Sequence, residues 1–273
     1  MNRFDRTFAR LRAINELGLF PYIFTGYPDR QHCSEILDTL ALAGADGIEL
    51  GVPFSDPLAD GVTLQAAGAR ALAGGAGVEM AFDLVRAFRQ RHQVPVALMS
   101  YYNPLLAYGL PELVNDAAAA GVDGLIVPDM PFEEAGELHG LCGAAGLHLI
   151  CMLAPTSTPA RIERAAALAG GFIYCVALVG ITGARSRLSQ ELPDFLNRVR
   201  TVCRQPLVVG FGISRPEHVR ALRGLADGAI VASALADRIA ASPDDKLLAA
   251  VGQYVGDLKR ATLSGSGMGA ATG

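Results

Sequence analysis

The chain has 273 residues, 51% hydrophobic and 18% charged, with 31 glycines and a net charge of −4. That apolar share can fill a substantial core and excludes disordered, collagen-like and low-complexity chains. No apolar run reaches the ~18 residues a membrane span needs. No basic block points to a nucleic acid, and the N-terminus leads into no apolar signal region, so a cytoplasmic location is expected.

The five cysteines (Cys33, Cys142, Cys151, Cys175, Cys203) form no CxxC pair and are odd in number, so buried reduced thiols are expected rather than a disulfide framework. The five histidines are equally scattered, and none stands at zinc-ligand spacing from another His, Cys or acid. No metal is expected.

In chain order, a helix over 3–17 opens the pattern, and short apolar runs then alternate with amphipathic ones. The runs over 21–26, 46–52, 95–100, 123–127, 147–153, 171–177, 206–210 and 227–233 are rich in Val, Ile, Leu or Tyr and bounded by Gly, Pro or Asp, as strands are. Helical patterns lie between and after them at 31–43, 62–72, 79–91, 111–120, 132–144, 159–169, 190–203, 215–222 and 244–261. Eight strands alternating with helices predict a single (β/α)8 barrel over 1–262 with an extra N-terminal helix. A small, Gly-rich tail over 263–273 is expected to be disordered. An internal echo supports the barrel: GADGIEL (44–50), GVDGLIV (121–127) and LADGAIV (225–231) each lead into a strand. A dinucleotide fold would need GxGxxG after the first strand, and Thr25-Gly26-Tyr27-Pro28 lacks it.

Barrel active sites are built on the loops at strand C-terminal ends. In Gly47-Ile48-Glu49-Leu50-Gly51, alternation turns Ile48 and Leu50 towards the helices and Glu49 into the barrel. Burial there raises a carboxyl towards the range useful for proton transfer, although a structural carboxylate held by donors would fit the same position. The next loop, Pro53 to Gly61, carries Asp56, Asp60 and two prolines. Either Asp could cap the helix that follows, or stand with Glu49 as a carboxylate pair at one barrel mouth. Glycine-rich turns follow the last three strand regions, around Gly180–Gly183, Gly210–Gly212 and Ala232–Ser233. Backbone N–H groups of such turns can hold a phosphate. Both lysines, Lys246 and Lys259, lie in the last helix, so no Schiff-base lysine stands at a strand end. With no lysine or metal available as an electron sink, carbon–carbon cleavage would need the substrate itself to accept the electrons.

Six segments together resemble the tryptophan synthase alpha subunit family: PYIFTGYPD (21–29), GADGIELGVPFSDPLADG (44–61), YYNPLLAYG (101–109), VPDMPFEE (127–134), ITGAR (181–185) and GFGISRPE (210–217). The resemblance implies a lyase that splits indole-3-glycerol phosphate into indole and glyceraldehyde 3-phosphate. It implies Glu49 and Asp60 as the catalytic pair, with Asp60 on the indole N–H and Glu49 as acid/base. Tyr22, Tyr102, Tyr174, Thr182 and Phe211 would contact substrate, and Gly183, Gly212, Ala232 and Ser233 would hold its phosphate. Pro53, Asp56 and the Asn103-Pro104 turn would face a beta subunit in an α2β2 assembly. That partner, not this chain, would carry the pyridoxal phosphate. Tyr22 stands for the family's usual Phe, and the chain departs from the family pattern in three further places: Val62 stands for the usual Pro, Cys175-Val176-Ala177-Leu178 lacks the polar residue often seen before the mobile loop, and Ala232 stands for the usual Gly, where a Cβ would crowd a phosphate or oppose a positive φ. The alternatives are a stand-alone indole-releasing lyase, an alpha-like module that regulates a beta subunit with little activity, and a phosphosugar isomerase sharing only the phosphate turns.

Overall fold

In the computed structural model, which describes residues 1–177 and 191–263, eight parallel strands close into a barrel in chain order. They are β1 (Gly18–Phe24), β2 (Ile48–Gly51), β3 (Val96–Met99), β4 (Gly124–Ile126), β5 (His148–Leu153), β6 (Ile173–Val176), β7 (Leu207–Gly210) and β8 (Gly228–Val231). The described helices are α1 (Arg3–Ala13), α2 (Arg30–Leu42), α3 (Val62–Ala73), α4 (Val78–Arg89), α5 (Tyr102–Tyr108), α6 (Leu110–Ala120), α7 (Gly136–Ala145), α8 (Pro159–Leu168), α9 (Leu192–Arg200), α10 (Pro216–Ala221), α11 (Ser233–Ala241) and α12 (Asp244–Thr262). None of them is long and apolar enough to cross a membrane. The strands are buried nearly throughout, which is why they read as unbroken apolar runs. All five cysteines are buried free thiols.

Helix α1 closes the N-terminal end of the barrel. Asn2 caps it: its side chain accepts from the Phe4 N–H at 2.9 Å, while the Asp5 carboxylate accepts from the Asn2 N–H at 3.2 Å. The helix buries Phe4, Phe8 and Leu11 on one face. The rings of Phe4, Phe8, Phe20 and Phe172 then pack with centroids 5.5 to 6.5 Å apart. Phe20 can occupy this layer because Gly18, Gly47 and Gly228 surround it. A Cβ on any of the three would come within 2.6 Å of its ring.

The repeated Asp-Gly segments have one structural job at this end. The Asp46 carboxylate accepts from the Leu19 N–H at the start of β1, that of Asp123 from Val96 at the start of β3, and that of Asp227 from Leu207 at the start of β7, all at 2.8–2.9 Å. Each carboxylate also meets cations: Arg10 and Lys259 on Asp46, Arg3 and Arg89 on Asp123, and Arg200 on Asp227. The β5–β6 quarter differs. There Gly170 donates its N–H to the Leu149 carbonyl, as the three Asp residues do to Leu19, Val96 and Leu207. His148 fills the space a side chain would need, because a Cβ on Gly170 would lie 2.3 Å from its Nδ1.

Several boundaries differ from the sequence pattern. Strand β1 starts at Gly18, before the expected 21. Pro21 is tolerated inside it because the β2 ladder begins only at the Tyr22–Glu49 pair. Helix α1 stops at Ala13 rather than 17, as Asn15 takes a left-handed conformation at φ 51°. Helices α5 and α11 were not expected: the first is only seven residues long, and the second starts two residues after a strand.

Candidate active site

Glu49 sits in β2, in register with Tyr22 of β1 and Ala97 of β3. Its neighbours Ile48 and Leu50 are fully buried. At 1% exposure the Glu49 side chain is enclosed, and among the described residues neither carboxylate oxygen has a hydrogen-bond partner. Burial alone pushes its carboxyl from the ordinary 4.5 up to about 8. A structural carboxylate would be held by donors; this one is a neutral acid at neutral pH with an unengaged proton.

Asp60, in the loop before α3, is half-buried. Burial raises its pKa, and a hydrogen bond from the Tyr101 hydroxyl opposes the rise. That hydroxyl in turn accepts the Ala59 N–H at 2.8 Å, and the Tyr101 ring packs on Phe54 at 5.6 Å. The stiff loop is thus pinned at Tyr101, with Asp60 at its end. Tyr22 and Tyr174 are buried, and burial, reinforced by the charges of Glu49 and Asp60, pushes both phenols well above their ordinary range. Two strand-end glycines admit them: a Cβ on Gly51 would lie 2.0 Å from the Tyr22 hydroxyl, and one on Gly210 would lie 2.3 Å from that of Tyr174.

A cleft above this layer is lined by Tyr22, Asp60, Tyr174 and Phe211, with Gly212, Ala232 and Ser233 on its far side. Phe211 and Gly212 both take positive φ, 73° and 80°. A left-handed Phe is strained, as occurs where a turn serves a site, and its ring meets Tyr174 edge-on at 6.2 Å. Ser233 opens α11, where the Leu235 and Ala236 N–H groups donate to the Ala232 carbonyl and no side chain caps the helix; N–H groups at such a helix start suit an anion. Ala232 caps that helix with φ −120°. Its Cβ therefore brings no left-handed strain.

Tyr102 is not among the described residues that line the cleft. Tyr102 begins α5, half-buried, and its N–H donates to Asp129 at 2.9 Å; the tyrosine that reaches Asp60 is Tyr101. Met99, Leu64, Ile213 and Ile230 also line the cleft and were not anticipated, since apolar residues at strand and helix ends carry no chemical signal. Pro53 is buried at the end of β2, whereas Asp56 is exposed and accepts from the Ser55 hydroxyl at 2.6 Å. Asn103 and Pro104 lie in the first turn of α5 rather than in a free turn. Thr182, Gly183 and the tail over 264–273 lie outside the described residues. Among the described residues, no three His, Cys, Asp or Glu side chains gather as a metal site requires.

The family model described as "Tryptophan synthase alpha chain" matches residues 8–262. The chain belongs to the tryptophan synthase alpha chain family. It is 53% identical over 260 residues to the alpha chain of Roseiflexus sp. (strain RS-1), covering 95% of this chain and 100% of that one. It is 47% identical over 263 residues to the alpha chain of Chloroflexus aggregans, covering 96% and 98%. The crystal structure of the alpha chain from Legionella pneumophila subsp. pneumophila superposes with a TM-score of 0.88 at 34% identity, covering 96% of this chain and 97% of that one. A structure of Mycobacterium tuberculosis tryptophan synthase gives 0.88 at 34%, covering 97% and 99%. As a member of this family the chain is a lyase of tryptophan biosynthesis, and the family implies a beta-subunit partner.

Proposed function

We propose that this chain cleaves indole-3-glycerol phosphate to indole and glyceraldehyde 3-phosphate, with Glu49 as acid/base and Asp60 as the indole N–H acceptor. The observation that carries this reading is the enclosed Glu49 carboxyl, without a hydrogen-bond partner among the described residues and held protonated at neutral pH, beside a cleft that reaches Gly212 and the start of α11. The phosphate binds those N–H groups at Gly212, Ala232 and Ser233, with Gly183 as a further contact. The indole ring lies on the apolar wall of Tyr22, Leu64, Met99, Tyr174 and Phe211, with Thr182 completing the contact set.

Glu49 donates its proton to indole C3, and the positive charge that develops spreads to the ring nitrogen, where the Asp60 carboxylate accepts the N–H. Glu49, now ionised, takes the proton of the hydroxyl on the carbon attached to C3. That oxygen forms the aldehyde as the carbon–carbon bond breaks, and the bond's electrons return to the iminium. Indole leaves and Glu49 is protonated again, so the ring acts as the electron sink.

The chain works in an α2β2 assembly in the cytoplasm, with Pro53, Asp56, Asn103 and Pro104 towards the beta subunit, which carries the pyridoxal phosphate. Leu58 and Val62, 88% and 85% exposed beside Asp60, support a partner on this rim. The test is indole release from indole-3-glycerol phosphate with and without added beta subunit, for the natural chain and Asp60→Asn. Slow release that rises with beta and is lost in the variant supports the proposal. Fast release without beta indicates a stand-alone lyase, and no release in either condition removes the catalytic reading.

A further inference from the structure

At the N-terminal end of the barrel, opposite the catalytic cleft, a cavity of about 420 Å³ opens beside α1, β7 and β8. That volume falls within the range of small-molecule sites, ~300–1,000 Å³. Phe8, Leu11 and Leu17 line it and are buried, offering an apolar bed. Three guanidinium groups from separate elements also line it: Arg12 near the end of α1, Arg200 at the end of α9, and Arg223 beyond α10.

Two of these cations are fixed by the protein. Arg200 donates to the Leu225 carbonyl at 3.1 Å and pairs with Asp227 at 3.2 Å. Arg223 uses Nε and Nη2 on the Ala261 carbonyl, at 2.9 and 2.6 Å, which leaves Nη1 undirected. Arg12 is exposed, and its side chain makes no hydrogen bond or ion pair among the described residues. The acids nearby are already engaged: Asp227 also accepts from the Leu207 N–H, and Glu16 lies 4.0 Å from Lys259. Among the described residues the Arg12 and Arg223 side chains pair with no carboxylate, although Glu16 and Asp227 line the same cavity.

The geometry points to a second ligand site here, for a small amphiphilic anion. Its carboxylate or phosphate binds Arg12 and Arg223, and its apolar body lies on Phe8, Leu11 and Leu17. This site is separate from the proposed chemistry and does not depend on it.

The test titrates the full chain with 2-naphthoate and with phenyl phosphate by calorimetry, using the natural protein, Arg12→Glu and Arg12→Gln. Each titration is repeated with the catalytic cleft blocked by saturating glycerol phosphate, and soaked crystals locate the probe. The expected result is binding that persists in the blocked protein, weakens at least tenfold in Arg12→Glu and less in Arg12→Gln, and leaves indole release unchanged in both variants. A stronger phenyl phosphate signal identifies a phosphate ligand, and a stronger naphthoate signal a carboxylate. Four results would overturn the inference: no binding, binding lost on blocking the cleft, equal affinity in Arg12→Glu, or density from residues 264–273 filling the cavity. Any of them would mean that the arginines serve only the helix ends they stand near.

Discussion

Replacing Glu49 by Gln should stabilise the fold, by an amount that depends on pH. The folded carboxyl holds its proton up to about 8, whereas in the unfolded chain it ionises around 4.5. Between those values the unfolded state releases a proton that the folded state retains, so stability falls as pH rises and levels off above the folded value. Each pH unit in the window is worth ~1.36 kcal/mol. The penalty is therefore near zero at pH 4, about 3 kcal/mol at pH 7, and between about 4 and 5 kcal/mol by pH 9. Gln keeps the shape and cannot ionise, so it removes the slope while retaining a buried polar group. The assay is urea unfolding of both proteins from pH 5 to 9, read by circular dichroism. All other titrating groups are shared, so the difference between the two curves isolates Glu49. It should grow by roughly 2–3 kcal/mol from pH 5 to 7. Parallel curves would show that Glu49 is ionised in the folded protein and would refute the reasoning.

Three further perturbations follow from the same geometry. Gly210→Ala puts a Cβ 2.3 Å from the Tyr174 hydroxyl, so the ring must move into the cleft; steady-state kinetics should show KM for indole-3-glycerol phosphate raised at least tenfold, with ~1–3 kcal/mol of stability lost to overpacking. Asp123→Ala strands Arg89, only 8% exposed, together with the Val96 N–H; denaturant unfolding should show a loss of ~3–5 kcal/mol, and more than Asp227→Ala, whose Arg200 partner is half exposed. Tyr101→Phe removes the hydroxyl that holds Asp60 and the Ala59 N–H; indole release should fall more than tenfold while the melting temperature changes by only a few degrees.

The barrel was legible because strands buried on both faces leave unbroken apolar runs between Gly, Pro and Asp. The placement of Glu49 was legible because strand alternation leaves it only one direction. At Tyr101-Tyr102 that rule fails: β3 ends at Met99, and beyond it alternation no longer says which ring turns inward. The Asp-Gly echo was visible as a repeat, but its purpose was not, since Asp123 meets Arg3 and Arg89 across 120 and 34 residues of sequence. Leu64, Met99 and Ile230 look like any core residues until the cleft is seen. Ala232 reads in the sequence as a residue that could oppose a positive φ, and only its backbone angle shows that no left-handed conformation is required.

The most direct test of Glu49 as the acid is the pH dependence of single-turnover indole release, measured with saturating beta subunit from pH 6 to 10. The natural chain should be steady at neutral pH and decline above about 8 as Glu49 loses its proton. Glu49→Gln should be ~10²–10⁴-fold slower, with no inflection in that range. A Gln variant within tenfold of the natural rate, or one that keeps the same decline above pH 8, would contradict the role assigned to Glu49.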